Sequence, residues 1–359
     1  MNKAELSSPF SLNAYDFPFS EKLVAEVPAE PRDSSRLMVV DRATGDISHE
    51  RFRDLPEHLR PGDCLVLNRT KVLPARLVGK KSTGGKAEIL LLREIEPGVW
   101  SALSSDIKPG ARIDWKDGSH ASVESLNPEG EWICRFSKLD VRGLMERIGL
   151  PPLPPYILKK RRRALTVPAE TDRTMLESRP QDRERYQTVY AREEGSVAAP
   201  TAGLHFTSEL LARLKTRGVR VTELTLHVGH GTFQPLASPD IRDHRMKSEW
   251  YRVGPEAAAT IRKCRSHGGR VIPVGTTATR TLETFARMGK TEGWTDLFIR
   301  PGHEFKTADA LVTNFHQPRS TPLVLACAFA GRELMFSAYQ EAAANGYRLY
   351  SFGDAMLIL

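Results

Sequence analysis

The spacing of apolar residues changes along this chain of 359 residues, and that change constrains the fold more than any other feature. Between about residues 70 and 150, short apolar or alternating runs are separated by clusters of Gly, Pro, Asn and Asp. Such closely spaced strands, with turn residues between them, predict a small barrel or sandwich. From Tyr186 onward, apolar strands alternate with helical periods, which is typical of an α/β sheet. We therefore expect an α/β main domain interrupted by an inserted small β-barrel domain.

The predicted boundaries follow from the same change. The main domain is assigned to residues 1–68 together with 152–359, and the inserted barrel to residues 69–151. Prolines within residues 149–156 force an extended path at the second boundary. Beyond it, a run of five cations begins at Lys159, and the polar stretch 159–185 is predicted to be a flexible basic segment. Charge runs of this kind are most often solvated surface, and otherwise contact nucleic acid.

Local signals predict particular elements outside the barrel. Thr207 is expected to cap a helix that ends at Gly218, because its hydroxyl can accept a hydrogen bond from the first turn. Thr321 and Pro322 carry the signature of an N-cap and a first helical residue. The other predicted elements are helices near residues 20–27, at 256–267 and from residue 275, a last helix closed by residues 345–346, and strands at residues 36–41, 63–68, 219–228, 271–274 and 347–352.

Composition narrows the class of protein. The formal net charge of +8 and the isoelectric point near 9.3 favour a polyanionic partner, because each neutralised phosphate releases counterions. No run of 18 apolar residues is present, and the first residues lack the apolar core of a secretory signal. We therefore expect no membrane partner and a cytoplasmic location, with the four well-separated cysteines as reduced thiols.

Two loops rich in histidine and glycine flank one predicted helix–strand unit. The first contains His205, and the second, about twenty residues further on, contains His227 and His230. Small residues let a ligand approach the backbone, and imidazoles transfer protons near neutral pH. These histidines are therefore candidates for proton transfer or substrate binding. Two alternatives stay open: a purely structural role, and a metal site completed by His205 or His316, although no acidic ligand is placed beside it.

A third predicted strand runs into a glycine turn and a helix that begins with hydroxyl residues. Thr276 and Thr277 could hold a phosphate or carboxylate there, because the amides at a helix N-terminus favour anions. Arg280 lies in the same first turn, where the helix dipole disfavours a cation. An anionic ligand would account for Arg280, and so would neutralisation by Glu283 at the i+3 position.

A fourth predicted strand ends in Asn314 and His316, which are candidates for ligand contact or a hydrogen-bonded histidine at a strand end. Two phosphate-binding motifs are absent from the sequence. No G-x-G-x-x-G follows a strand, which argues against a dinucleotide-binding domain, and the glycine turn at residues 82–86 lacks the spacing of a P-loop.

Together these segments resemble the S-adenosylmethionine:tRNA ribosyltransferase-isomerases, a family of queuosine biosynthesis. The resemblance covers nearly the whole chain and implies an α/β domain interrupted by a β-barrel. Shorter matching segments lie near the start, at residues 153–157, 186–190 and 352–356. The long matching segments are VAAPTAGLHFT (197–207), LHVGHGTFQPL (226–236), VGTTATRTLE (274–283), RPGHEFK (300–306) and DALVTNFHQPRSTPL (309–323).

The resemblance also implies a reaction. In that family the ribosyl moiety of S-adenosylmethionine moves to 7-aminomethyl-7-deazaguanine at the tRNA wobble position, giving epoxyqueuosine and releasing adenine and methionine. S-Adenosylmethionine would be consumed as a cosubstrate, and nothing in this course demands a metal. The implied partner is tRNA that carries 7-aminomethyl-7-deazaguanine, and a monomer is expected. The resemblance leaves open which residue is the general base and which tRNAs are served.

Roles for individual residues are hypotheses at this point. The first candidates for the acid and the base are His205 and His227, followed by His230 and His316. The residues expected to hold the cosubstrate are Thr201, Gly203, Gly229, Gly231, Thr276, Thr277 and Arg280. Those expected to face the substrate or tRNA are Lys71, Arg76 and Asn314. The chain departs from the family pattern at Lys247, where a histidine is usual, and at Gln317, where a leucine is common.

Two other classes of protein are alternatives. A non-catalytic RNA-binding protein would account for the charge, but not for His, Thr and Gly at strand ends, and the barrel lacks the aromatic-rich strands of a base-stacking platform. A metal-dependent hydrolase would account for the histidines but requires acidic or cysteine ligands that the sequence does not place. Stoichiometric zinc in the purified protein, with activity lost in chelator, would favour the hydrolase.

Overall fold

The computed structural model describes residues 8–164, 178–233 and 235–359, and contacts divide the chain into two compact units. The α/β unit consists of Met1–Thr70, Thr188–Glu193 and Ala199–Leu359, and the barrel unit of Lys71–Gln187 and Glu194–Ala198. The expected fold class, an α/β domain interrupted by a small barrel, is confirmed. The barrel unit extends past residue 151, where the sequence placed the end of the insert.

The strands and α-helices of the described residues have the following bounds. The strands are β1 (Arg36–Val40), β2 (Ile47–Arg51), β3 (Cys64–Asn68), β4 (Thr70–Val72), β5 (Arg76–Lys81), β6 (Lys86–Glu96), β7 (Val99–Leu103), β8 (Arg112–Asp114), β9 (His120–Leu126), β10 (Trp132–Phe136), β11 (Glu193–Ser196), β12 (Arg220–Leu226), β13 (Glu249–Arg252), β14 (Val271–Pro273), β15 (Glu292–Thr295), β16 (Leu311–Asn314) and β17 (Ala355–Ile358). The α-helices are α1 (Val141–Ile148), α2 (Pro155–Ala164), α3 (Asp182–Arg185), α4 (Ser208–Thr216), α5 (Pro255–Ser266), α6 (Thr276–Met288), α7 (Thr321–Ala330) and α8 (Arg332–Ala344).

Several strands of the α/β unit end along one edge of its sheets. β14, β3 and β12 are parallel neighbours, and β13 and β15 continue this sheet in antiparallel fashion. A second sheet has the order β16-β17-β1-β2. A parallel bridge between Val274 and Val312 joins the two sheets. Because β3, β12, β14 and β16 run in one direction, their carboxyl ends lie along the same edge, where α/β proteins bind ligands.

Helices cover the sheet and bury a continuous apolar core. β3 is buried along its whole length, as a strand covered on both faces should be. On α4, Leu210 and Leu214 pack into the core, and the Thr207 hydroxyl accepts a hydrogen bond from the Leu210 amide. The predicted cap of this helix is therefore confirmed.

No helix among the described residues has both the length and the apolarity to cross a bilayer.

The barrel unit closes through the strand order β10-β7-β6-β5-β8-β9. Its interior is filled by apolar side chains such as Leu77, Ile89 and Trp100. Leu144 and Met145 of α1 belong to the same core, so the helical chain beyond the last barrel strand remains part of this unit. Val197, far beyond the proline-rich stretch, is buried in the same core, so Glu194–Ala198 also belongs to this unit.

Two predictions near the chain ends are wrong. Residues 20–27 do not form a helix beyond the single 3-10 turn Glu21–Leu23, because this segment forms a bridge to Leu349 through Val24. Residues 347–352 are not a strand either. Tyr350 has a positive φ of 72° and turns the chain, and the strand at this end is β17.

Two further predictions need correction by smaller amounts. Ser320, not Thr321, is the N-cap of α7, and its hydroxyl accepts a hydrogen bond from the Leu323 amide. In the predicted flexible segment 159–185, residues 159–164 belong to α2 and residues 182–185 to α3. Residues 165–177 of that segment lie outside the described residues.

Candidate functional site

Asn68, at the carboxyl end of β3, ties together three elements at the ligand-binding edge of the sheet. Its Nδ2 donates to the carbonyl of Leu226 at 3.0 Å and to Oγ1 of Thr277 at 3.2 Å. Its Oδ1 accepts from the amides of Leu226 at 3.1 Å and Thr70 at 3.2 Å. All four bonds are buried, so Asn68 fixes the end of β12 against the first turn of α6. No role for this residue was predicted from the sequence.

His205 lies in the 3-10 turn Thr201–His205 and is almost completely buried. Its Nε2 is 3.0 Å from Nδ2 of Asn314, and its Nδ1 is 2.8 Å from Oγ of Ser35. Because an amide nitrogen can only donate, Nε2 accepts and Nδ1 carries the proton. The ring of Phe52 packs over the imidazole with a centroid distance of 5.0 Å. The arrangement holds a neutral, fully hydrogen-bonded ring.

Asn314 and Thr201 complete this network. Oδ1 of Asn314 accepts a hydrogen bond of 3.1 Å from the hydroxyl of Thr201, and the Asn314 side chain is buried. In the same turn, Gly203 has no room for a Cβ, because the Tyr190 hydroxyl and Thr188 occupy that space. The structure therefore brings the predicted residues of this turn together, and their side chains bond to one another within the protein.

Burial gives His205 a pH-dependent effect on stability. Desolvation lowers the pKa of His205 to about 4, against the opposing effect of Asp354. The unfolded chain takes up this proton below about pH 6.5, and the folded protein only near pH 4, so stability present above pH 6.5 is lost as the pH falls. On lowering the pH from 7 to 5, we expect protonation of His205 in the unfolded chain to decrease the unfolding free energy of wild-type protein by about 2 kcal/mol.

Urea unfolding of wild type and His205→Gln at pH 7 and pH 5 measures this linkage. We expect the loss of stability between the two pH values to be smaller in the variant by that amount. An identical pH dependence in both proteins would mean that His205 has the same pKa in the folded and the unfolded protein.

His227 follows β12 directly and has a different environment. Its ring is half-buried, stacks on Trp250 at a centroid distance of 5.1 Å, and has Nδ1 2.9 Å from Oγ1 of Thr70. The Thr70 hydroxyl can donate to the carbonyl of Glu193, 3.5 Å away, which leaves its oxygen to accept from Nδ1. In this tautomer the lone pair lies on Nε2. Thr70 and Trp250 therefore hold a half-buried imidazole in one orientation.

The other two candidate histidines are less suited to act as bases. Nε2 of His230 is 3.2 Å from the ammonium of Lys247, which can only donate, so the lone pair of that nitrogen faces a cation. His316 has Nε2 2.7 Å from Oγ1 of Thr313, and burial lowers its pKa to about 3. Lys247 thus contacts one of the predicted site residues directly, at the position where the sequence departs from the family pattern.

Arg280 forms a buried ion pair that the sequence did not predict. One oxygen of Glu249, on β13, pairs with the Arg280 guanidinium, and the other accepts a hydrogen bond of 2.7 Å from the Gly229 amide. Nε of Arg280 donates to the carbonyl of Leu297 at 2.9 Å. Glu283, the sequence-based alternative partner, instead accepts from the amides of residues 306–308.

A cleft opens beside the first turn of α6. Gly275 precedes this helix with a φ of 86°, a conformation that favours glycine, and no side chain caps the helix amides. The cleft is open to solvent and combines apolar walls with hydroxyl groups. Its lining consists of Met246, Thr276, Thr277, Arg280, Leu297, Phe298, Ile299, Thr321, Pro322 and Leu325. It therefore presents two helix N-termini, an arginine and an apolar wall to one ligand.

The remaining predicted residues lie elsewhere. Gly231 is beside the aliphatic part of Lys247, in the turn His230–Phe233. Lys71 and Arg76 belong to the barrel unit. The Lys71 ammonium pairs with Glu194 at 2.9 Å, and the buried Arg76 guanidinium pairs with Glu88 at 2.6 Å. Among the described residues, no three potential metal ligands of the His, Cys, Asp and Glu types are grouped together.

The sequence did not predict that Asn68, Thr70 and Glu249 take part in the candidate site. The first two follow a strand end that the sequence did predict, so the rule that ligand sites form at the carboxyl ends of parallel strands could have found them. Glu249 had no such signal, because its partners Gly229 and Arg280 are distant in sequence.

Comparison with known proteins identifies relatives along nearly the whole chain. A family model described as "Queuosine biosynthesis protein" matches residues 12–358. The S-adenosylmethionine:tRNA ribosyltransferase-isomerase of Symbiobacterium thermophilum is 51% identical over 358 residues, which cover 97% of this chain and 99% of that protein. The protein of the same name from Desulfitobacterium hafniense is 48% identical over 361 residues, with the same coverage. The crystal structure of S-adenosylmethionine tRNA ribosyltransferase from Thermotoga maritima is similar, with 36% identity, a TM-score of 0.53, and coverage of 98% of this chain and 100% of that chain.

Proposed function

The chain belongs to the queuosine biosynthesis protein family, and we propose that it is an S-adenosylmethionine:tRNA ribosyltransferase-isomerase. It transfers the ribosyl moiety of S-adenosylmethionine to 7-aminomethyl-7-deazaguanine at the tRNA wobble position, forms epoxyqueuosine, and releases adenine and methionine. The observation that carries this proposal is full-length identity of 51% to a relative of that name. The site geometry supports it through proton-transfer and hydroxyl groups at one edge of the sheet.

The reaction requires a base that removes a proton from the ribose 5′-carbon, which the adjacent sulfonium acidifies. Ring opening, loss of adenine, attack by the aminomethyl nitrogen, and closure of the epoxide with cleavage of the carbon–sulfur bond and departure of methionine then follow. A general base works best as a neutral, oriented group with a proton affinity near the working pH. We propose His227 as this base, because Thr70 and Trp250 orient its ring and Nε2 is the acceptor atom. His230 and His316 are secondary candidates.

We propose that the cleft beside α6 holds the cosubstrate. The uncapped amides and hydroxyls of Thr276 and Thr277 suit the carboxylate of its methionine part, and the apolar wall, with Phe298, suits adenine. Gly229 and Gly231 leave space along the backbone of the loop that carries His230. Arg280 contributes through its ion pair with Glu249 more than as a free cation.

A supporting role is proposed for the remaining residues of the α/β unit. His205, Asn314, Thr201 and Gly203 hold the 3-10 turn at the ends of β14 and β16 through buried hydrogen bonds and close packing. Their substitution would act through the shape of this turn.

Two proposals concern the barrel unit. Lys71, which is partly exposed, is proposed as a tRNA contact, whereas Arg76 is proposed to stabilise the barrel through Glu88. We further propose a cytoplasmic monomer that acts without a metal and requires 7-aminomethyl-7-deazaguanine in the tRNA.

Adenine release tests the proposed function. Purified protein is incubated with S-adenosylmethionine, with or without tRNA that carries 7-aminomethyl-7-deazaguanine, and the RNA is analysed by mass spectrometry. We expect adenine only in the presence of that tRNA, with the epoxycyclopentanediol mass added to it, and undiminished activity in chelator. Folded protein that releases no adenine would contradict the proposal, and metal-dependent activity would contradict its metal-free form.

A further inference from the structure

The five-cation run is divided between two faces of α2. Successive residues lie about 100° apart around a helix axis, so Ile157 and Arg161, four residues apart, share one face. Both side chains are buried, with Arg161 only 3% exposed. The other four cations occupy the opposite side, an arc of roughly 160° by the same geometry. They are Lys159, Arg162 and Arg163, which are exposed, and Lys160, which is partly exposed.

Arg161 fixes this helix to the chain that follows it. Its two terminal nitrogens donate to the carboxylate of Asp182 at 2.5 and 2.9 Å, and both side chains are buried. The same carboxylate accepts from the Arg179 amide at 2.7 Å, and Arg183 donates to the carbonyl of Glu146 on α1 at 3.1 Å. A bidentate, desolvated pair of this kind holds one orientation of the helix. The cationic face is therefore presented in a fixed direction.

Stabilisation of the helix itself does not account for this charge. Cations near a helix C-terminus interact favourably with the dipole, by about 0.3–1 kcal/mol for a well-placed group. The helix contains no acidic residue, however, and Lys159 and Arg163 are like charges at i and i+4, which repel by a few tenths of a kcal/mol. A row of four cations on a single face is thus more than the dipole requires, and it matches the regular charge of a phosphate backbone.

We propose that the exposed face of α2, defined by Lys159, Lys160, Arg162 and Arg163, binds the phosphate backbone of the tRNA substrate. This inference rests on the proposed function for the identity of the RNA. The contact is electrostatic and does not depend on the modified base. It should therefore strengthen binding of modified and unmodified tRNA alike, and its contribution should fall as salt rises.

The test compares two triple variants with the same change in charge. Lys159→Gln/Arg162→Gln/Arg163→Gln removes three cations from the proposed face. The control, Lys215→Gln/Arg262→Gln/Lys263→Gln, removes three exposed cations from α4 and α5. Dissociation constants for unmodified tRNA are measured between about 50 and 200 mM salt, with KM values for tRNA and S-adenosylmethionine. We expect the first variant to bind tRNA about tenfold more weakly and to lose roughly 2 to 3 units of salt slope.

The control should keep the wild-type salt slope, and both variants should keep the KM for S-adenosylmethionine. Equal weakening of tRNA binding in both variants would overturn the proposal, because net charge alone would then explain the weakening. Unchanged tRNA binding in the first variant would also overturn it. Asp182→Asn gives a second readout, since it keeps all four surface cations but loses the partner of Arg161. We expect it to weaken tRNA binding as well. Absence of adenine release by wild-type protein would count against the proposed function alone, since binding is measured with unmodified tRNA.

Discussion

Replacing His227 with alanine is expected to lower the rate of adenine release by roughly 10²- to 10⁴-fold, the range usual for loss of a general base. The melting temperature should stay near that of wild type. The ring is only half-buried, and it contacts Thr70 through a hydrogen bond and Trp250 by stacking. Binding of S-adenosylmethionine should change little, because proton removal matters in the transition state and not in the bound ground state.

Matched variants separate this role from a general requirement for histidine. His316→Ala and His230→Ala remove imidazoles whose nitrogens face Thr313 and Lys247, and we expect their effects on kcat to be smaller. His227→Gln keeps a polar group but has no basic nitrogen, so it should be as inactive as His227→Ala. Substantial activity in His227→Gln, or a loss in His230→Ala as large as that in His227→Ala, would assign the base elsewhere.

Local features of the fold could be predicted because they depend on neighbouring residues. The Thr207 cap requires only a hydroxyl three residues before an amide of the same helix, and the turn before α6 requires only a glycine that tolerates a φ of 86°. The convergence of strand ends followed from the α/β pattern, since parallel strands share a carboxyl edge. Residues after β12, β14 and β16 were therefore candidates for ligand contact from the sequence alone.

The roles of the individual histidines could not be predicted, because burial and partners depend on tertiary structure. In the sequence, His205 and His227 occupy equivalent positions in glycine-bearing loops. In the structure, Phe52, Ser35 and Asn314 enclose the first, whereas the second stays half-buried. The same limit explains the last predicted strand, where the left-handed turn at Tyr350 overrides an apolar pattern that suits a strand.

Arg280 shows the limit of spacing rules most directly. Its i+3 neighbour Glu283 was a reasonable partner on helical geometry. The Glu283 carboxylate instead accepts hydrogen bonds from the amides of Lys306, Thr307 and Ala308. Burial opposes ionisation of this carboxylate, but the hydrogen bonds from His303 and from these amides lower its pKa. Arg280 turns to Glu249 on a different strand. A contact between residues distant in sequence thus decides the charge balance of the cleft.

That contact leads to the second large effect. Glu249→Gln is expected to raise the KM for S-adenosylmethionine about tenfold, which corresponds to about 1.4 kcal/mol, and to lower kcat as well. Glutamine can still accept the hydrogen bond from the Gly229 amide but cannot balance the charge of buried Arg280. The Arg280 guanidinium then retains its bonds to the Leu297 and Thr295 carbonyls, but the Gly229 loop loses the ion pair that joins it through Glu249 to α6. Breaking such a pair should also cost about 3 kcal/mol of stability.

Asp63→Asn is the control, because it breaks a comparable ion pair at the opposite end of the sheet. Asp63 precedes β3, whereas the candidate site lies at the carboxyl end of that strand, and its buried carboxylate pairs with Arg270 at 2.7 Å. We expect this variant to lose stability while its KM for S-adenosylmethionine and kcat stay close to wild type at a temperature where both variants are folded. The difference between the two variants isolates the positioning effect from the cost of an unpaired charge. If both lose only stability, Glu249 is a structural residue and the cosubstrate does not depend on the position of Arg280.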